Sequence, residues 1–310
     1  MDKEIDFFKF GFLVKSGVRG SEMPTITRSW NCLYKGRTGG KLPERSMRRN
    51  TETVAADGGS GDFPALLGRM GRETREFAAG IAGSGEAEVV HRTRVHAKRM
   101  RAFLRAVGRG DPGLFGQWHE RVRLAARRLG SAREAAVLPE LMMEAVREAP
   151  AGWREGFRGW ADGWRCEAEA PEEERREVAA EFERWAEVWG DWRGGDWSLF
   201  EGGLRRVVKK QEKLRRRAFA DDSMECWHRW RRWLKYHGYL CEMAGIEGRA
   251  HRRIRALAKK VGEAHDAHGL GVRVVERFPA GPPRAFLERW SERRMRDLLA
   301  AARSLAEGKC

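Results

Sequence analysis

Residues 91–101 read HRTRVHAKRMR, and the reading of this stretch decides the rest. Between His91 and Arg109 stand seven Lys or Arg residues and no Asp or Glu. A solvated helix face normally mixes signs, because Glu–Lys pairs at i,i+4 add a few tenths of a kcal/mol and like charges at that spacing cost as much. The helical period gathers His91, Arg94, Lys98, Arg101 and Arg105 into a sector of about 80°. Met100, Phe103, Leu104 and Val107 fall on the other side. The segment reads as an amphipathic helix with a wholly cationic face displayed to solvent, and something outside the helix is expected to supply the negative charge.

The whole chain leans the same way. Its 310 residues carry a formal charge of +16 and a pI near 10.2, which predicts attraction to polyanions such as nucleic acid, anionic membranes or phosphate polymers. A hydrophobic share of 41% with 13 Trp and 14 Phe excludes a wholly disordered protein. The cysteines, Cys32, Cys166, Cys226, Cys241 and Cys310, are odd in number, scattered and never in a CxxC pair. That spacing argues against a disulfide framework or zinc site and suits a reducing compartment. No run approaches the 18 or more apolar residues of a membrane span, and the start, MDKEIDFFKFGFLVK, does not read as a secretory signal. The expectation is a cytoplasmic protein.

Residues 1–62 contain turn-rich pieces such as KGRTGGK and ADGGSGD without a sustained helical period, and read as a flexible leader with one short element near Phe7–Val14. From Pro64 onward the pattern is helical throughout, with no strand-like runs. The spacing predicts helices over 64–82, 86–107, 113–129, 132–147, 152–168, 172–190, 197–218, 222–244, 248–262, 266–276 and 283–306. Charge is uneven among them: 172–190 holds seven Glu and three Arg, whereas 201–217 holds eight Lys or Arg and two Glu.

The opening stretch has a counterpart, HRWRRWLKYHGY at 228–239. An offset of 137 aligns His91, Arg94 and Lys98 with His228, Arg231 and Lys235. Downstream, LGSARE (129–134) aligns with VGEAHD (261–266) at an offset of 132. Each half thus carries His-x-x-Arg-x-x-x-Lys on one helix, then a Gly with an acid four residues later. Two similarities in the same order point to an internal duplication, with halves of about 63–150 and 151–307. In the second half His228, Arg231, Lys235 and Tyr239 form the stripe, and Trp230, Trp233, Leu234 and Leu240 face away.

These segments resemble the signature of CHAD domains, the conserved histidine α-helical domains. HRTRVHAKRMR and HRWRRWLKYHGY are similar to the family's histidine motifs, and LGSARE and VGEAHD to its Leu-Gly-x-x-Arg-Asp turn. The basic helix LRRVVKKQEKLRRR (204–217) sits where the family has one. The resemblance covers roughly 64–306. It implies an all-α fold of two pseudo-symmetric four-helix units around a basic groove, and binding of inorganic polyphosphate by that groove. The residues it singles out are His91, Arg94, Lys98, Arg101 and Arg105, then Arg205, Lys209, Lys213 and Arg216, then His228, Arg231 and Lys235. This sequence departs from the pattern at Gly238, which stands for a basic residue, at Glu134, which stands for Asp, and at Lys98, which stands for Arg. The first departure is expected to weaken the second stripe. Residues 1–62 lack the alternating glutamates of the triphosphate-tunnel domain found in some relatives, so a stand-alone, non-catalytic binding domain, placed on polyphosphate granules, is the expectation.

A phosphate polymer suits such a stripe physically. Cations three or four residues apart rise about 5–6 Å along a helix; Arg grips oxygens in a bidentate fork and Lys acts as a point charge. His91 and His228 would donate from both ring nitrogens if phosphate stabilises imidazolium. No metal or cofactor is expected, since His91 and His96 lie five apart with no carboxylate in register. His119, His251, His265 and His268 read as ordinary surface or core histidines. Glu134 and Asp266 read as helix caps, or partners of the stripe, in preference to an acid–base pair. Trp153, Trp160, Trp164, Trp185 and Trp189 read as core, and Trp227, Trp230 and Trp233 as packing beneath the basic face. Two other functions compete. A nucleic-acid binder explains the charge but not the duplicated motif. A phosphohydrolase or kinase lacks a P-loop and a carboxylate cluster.

Overall fold

A computed structural model describes residues 62–165 and 169–308, apart from the side chain of Arg133. The leader and the short element expected near its start lie outside these residues, except for Asp62. Among the described residues there are ten α-helices and no strand. They are α1 (Phe63–Gly83), α2 (Ala87–Val107), α3 (Pro112–Arg128), α4 (Gly130–Glu148), α5 (Ala151–Arg165), α6 (Glu172–Asp191), α7 (Trp197–Asp221), α8 (Met224–Met243), α9 (Arg249–Arg277) and α10 (Pro282–Glu307). Short polar side chains open several of them. Asp62, Asp111, Asp196 and Ser223 each accept the backbone N–H three residues on, which satisfies a donor that has no partner inside the helix.

One expected break is absent. The helices anticipated over 248–262 and 266–276 are a single helix, α9, which runs straight through VGEAHD. A lone helical Gly costs only about 1 kcal/mol relative to Ala, and α9 is held by buried residues on both sides of Gly262, among them Leu257, Val261, Leu270 and Val274. In the first half the same motif does break the helix: α3 ends at Arg128, Leu129 turns the chain, and α4 begins at Gly130.

Helix α2 lies at the centre, in contact with α1, α3, α4, α7 and α8. Its Ala97, Met100, Phe103, Leu104 and Val107 are fully buried, as the helical period requires. Phe103 meets Trp189 of α6 edge-on at 5.0 Å and lies 6.0 Å from Phe200 of α7. A second core joins α7, α8, α9 and α10 around Trp227, Trp230, Leu234 and Val261. A third joins α4, α5, α9 and α10 around Met142, Phe157, Trp164 and Leu270. Each large apolar side chain so buried contributes about 1.5–3 kcal/mol. Trp164, Trp185 and Trp189 are buried, and Trp153 and Trp160 are partly buried against the third core.

The tightest crossing is that of α7 on α2. A Cβ at Gly203 would lie 2.2 Å from the Ala106 carbonyl oxygen, so no larger residue fits there without movement of backbone. One turn later Arg206 Nη2 donates to that same oxygen at 2.8 Å, satisfying an acceptor in the last turn of α2. Gly203→Ala is therefore expected to destabilise the fold by about 2 kcal/mol or more, read as the denaturant midpoint. Gly202→Ala, whose Cβ meets only the flexible tip of Arg206 at 3.4 Å, should be neutral or stabilising.

Candidate functional site

The stripes of α2 and α8 come together by an antiparallel crossing. The Arg105 guanidinium lies 5.3 Å from the ring centres of Trp233 and Tyr236, while Arg101 neighbours Tyr236 and Arg99 neighbours Tyr239. Numbers rise along one helix as they fall along the other. The stripe is not laid open to water as its periodicity suggests. His91, Arg94, Lys98, Arg101 and Arg105 on α2, and His228, Arg231, Lys235 and Tyr239 on α8, are each half-buried. The cause is tertiary: α3 and α4 pack on α2, and α9 packs on α8.

Glycine makes that covering possible. Arg94 Nη1 donates to the Ala126 carbonyl and would touch a Cβ at Gly130 at 3.7 Å. Arg231 lies over Gly262, where a Cβ would stand 3.1 Å from Nη2 and 3.2 Å from Nε. In both halves the arginine of His-x-x-Arg rests on the glycine of the downstream motif, and the flat guanidinium takes the space a side chain would need. Burial, and then Arg105, Arg232 and Arg123 nearby, push Arg101 below the usual arginine range, against the opposing effect of Tyr236. Arg206 is lowered in the same way by burial and by Arg109.

Where the C-terminal end of α2 meets α3, α7 and α8 there is a cavity of about 600 Å³. Among the described residues six cations line it, Arg105, Arg109, Arg206, Lys209, Lys210 and Lys213, and no carboxylate does. Phe115 and Trp233 form its apolar wall, and Arg105 is held against both rings, 5.8 Å from Phe115. Trp233 is thus beneath the basic face and only partly buried, instead of facing away. Of the cavity cations, the resemblance singles out Arg105, Lys209 and Lys213 and misses Arg109, Arg206 and Lys210. Arg205 and Arg216 are exposed and stand outside the lining, with Arg216 Nε 3.4 Å from Glu212. The reason is angular. Leu204, Val207, Leu214 and Ala218 fix the buried side of α7. Arg205 and Arg216 lie opposite it, whereas the cavity opens at the flank where Arg206, Lys209, Lys210 and Lys213 project.

The histidines divide by environment. The rings of His228 and His265, the latter read above as ordinary, lie 4.5 Å apart between centres and tilted by 50° to one another. Burial, then His265, Arg232, Arg231 and Lys235, push His228 down to about 4; burial, then Arg231, His268 and Lys235, push His265 down to about 4, with Glu134 opposing. His119, also read as ordinary, is lowered to about 3 by burial and by Arg105 and Arg101. His96 belongs to the core. Thr74 donates its hydroxyl to the Met70 carbonyl at 2.6 Å, so its oxygen accepts from His96 Nε2 at 2.9 Å. Burial lowers His96 to about 3 and His237 to about 4.

Two further expectations are corrected. Glu134 and Asp266 cap no helix: Glu134 pairs with Arg273 of α9 at 2.7 Å, Asp266 lies inside α9, and both line a second cavity of about 390 Å³ with His265 and His268. Gly238 is buried, and a Cβ there would point at Ile254, so this position does not belong to the stripe and a glycine there takes nothing from it. Among the described residues no three His, Cys, Asp or Glu side chains gather as metal ligands, and no helix is long and apolar enough to cross a membrane.

Fold and cavity together define an all-helical protein with a carboxylate-free cationic cleft beneath paired histidine helices. The sequence matches the CHAD domain over residues 65–268, and the chain belongs to that family. The crystal structure of the CHAD domain from the plant Ricinus communis shares its fold, with a TM-score of 0.55 at 18% identity over 80% of this chain and 91% of that one. No curated protein matches the sequence.

The lowered histidines make stability depend on pH. Their folded pKa values lie below the unfolded value of about 6.5, so the stabilisation is complete above pH ~6.5 and is lost as pH falls towards 4. Thermal melts should show a midpoint that is level above pH 7 and declines from about pH 6.5 downward. His96→Gln should be less stable at pH 7 but show a shallower decline.

Proposed function

We propose that this chain binds inorganic polyphosphate without chemically altering it. The observation that carries the reading is the cavity of six cations and no carboxylate at the crossing of α2, α7 and α8. Membership of the CHAD family supports it. A polyphosphate chain presents repeated oxyanions and no bases, so it requires closely spaced forks and point charges and no base-reading groups. The half-buried cations of α2 and α8 extend the positive surface away from the cavity. They are the residues of the duplicated motif, and the shared Arg-on-Gly packing at Gly130 and Gly262 supports an origin by duplication.

Nucleic acid is the second reading. A single-stranded ligand would look for free aromatic faces. Trp233 already has Arg105 at 5.3 Å and Lys210 at 5.9 Å over its ring, and Phe115 stacks on His119 at 4.6 Å. That occupation favours the polymer without bases. Placement of the protein on polyphosphate granules follows from the same reading.

The test is binding of a long-chain fluorescent polyphosphate at about 150 mM salt, with a single-stranded DNA competitor of matched charge. Changing Arg105, Arg206, Lys209 and Lys213 to Ala should weaken binding by at least about a hundredfold and reduce the log–log salt slope by about 3. DNA displacing the ligand equally well, or binding indifferent to these changes, would refute the reading; release of phosphate with Mg²⁺ or Mn²⁺ would refute the non-catalytic part.

A further inference from the structure

We propose that His228 of α8 and His265 of α9 form a proton-dependent phosphate clamp, so that this protein holds polyphosphate more tightly as the pH falls. The inference rests on the polyphosphate reading above and concerns a part of the surface distinct from the six-cation cavity. The geometry is a ring pair at 4.5 Å beside Arg231, whose guanidinium is seated on Gly262. The Nδ1 of His228 is shielded from solvent and makes no hydrogen bond within the protein. His265 lies in VGEAHD at the place that Arg133 holds in LGSARE. The first half therefore has a permanent cation where the second has one that titrates.

The charges facing the pair decide when it titrates. His228 is surrounded by Arg231, Arg232 and Lys235 of its own helix, and His265 by Arg231 and Lys235 across the contact and by His268 one turn on. The carboxylates near the pair are Glu134 of α4 and Asp266 and Glu276 of α9, which line one cavity with His265; Glu134 and Glu276 are both engaged by Arg273 at 2.7 Å. Without an anion, a proton on either ring would meet buried surroundings and several like charges, and both rings stay neutral through the physiological range. An oxyanion between Arg231, Lys235 and the rings reverses that balance. Each ring then takes a proton from solvent and becomes an additional donor to the phosphate. For each proton taken up on binding, affinity rises by up to about tenfold per pH unit on descending from the bound-state pKa towards the free one.

The experiment is calorimetric titration of the full chain with long-chain polyphosphate between pH 5 and pH 8, each pH in two buffers of different ionisation enthalpy. The internal phosphates stay ionised across this range, so the ligand does not supply the pH dependence. Wild type should bind at least about tenfold more tightly at pH 5.5 than at pH 7.5, with net proton uptake. His265→Arg should lose most of that dependence while binding at pH 7.5 at least as tightly as wild type. The double change His228→Gln with His265→Gln should lose proton uptake at both sites and keep the cavity-based binding seen at pH 8. Thermal melts confirm that the variants fold, and either variant alone suffices for the comparison. A pH slope and proton uptake unchanged in the variants would overturn the clamp and leave polyphosphate binding standing. Absence of binding by wild type at every pH would remove the polyphosphate reading, and the clamp with it.

Discussion

The contact of Gly203 with the Ala106 carbonyl sets the spacing on which the candidate site depends. Helix α2 and the turn after it carry seven cations from Arg92 to Arg109, so its polar face cannot be covered by an ordinary apolar neighbour. A bare backbone at Gly203 lets α7 come close on one flank, and Arg206 then completes the last-turn hydrogen bonding of α2. The cavity is what remains between the two helices and α8 beyond that contact point. A Cβ at position 203 would separate α7 from α2 and carry Arg206, Lys209, Lys210 and Lys213 with it.

The same economy of backbone governs the other faces of the stripe. Gly130 and Gly262 each lie under an arginine, and this lets α3–α4 and α9 approach helices that present charge. Partial burial raises the cost of keeping these cations ionised, as the lowered Arg101 and Arg206 show. Aromatic faces offset part of it: Arg105 is held by Phe115, Trp233 and Tyr236 at 5.3–5.8 Å. Carboxylates would offset more, and they are absent from the cavity lining. Like charges are thus gathered and fixed, and among the described residues of the cavity lining no carboxylate compensates them.

Acidic residues are plentiful in the chain but are engaged elsewhere. Glu181 is shared by Arg121 and Arg184, Glu212 holds Arg215 and Arg216, and Glu134 holds Arg273 across α4 and α9. These pairs lie at helix faces where solvent weakens them, and each contributes little alone. Their arrangement still matters, because each cation neutralised there leaves the cavity cations more distinct from the surrounding surface.

The sequence by itself determined the helical class, the amphipathic division of α2 and the Arg–Gly correspondence between the halves. Period, glycine and charge are local properties that the order of residues displays directly. It also marked Arg105 through the stripe of its helix, and Lys209 and Lys213 through the resemblance of the basic helix 204–217. Tertiary structure alone decided which flank of α7 faces the cavity, bringing in Arg206 and Lys210 and leaving Arg205 and Arg216 outside. It decided that α9 runs unbroken through VGEAHD, because buried neighbours on both sides outweigh the helix cost of one glycine. It also brought His265 onto His228 across 37 residues of chain and placed Glu134 against Arg273 instead of at a helix end. Such contacts depend on the rotation and crossing of whole helices, and these follow from the sum of packing over all their neighbours, which no local pattern contains.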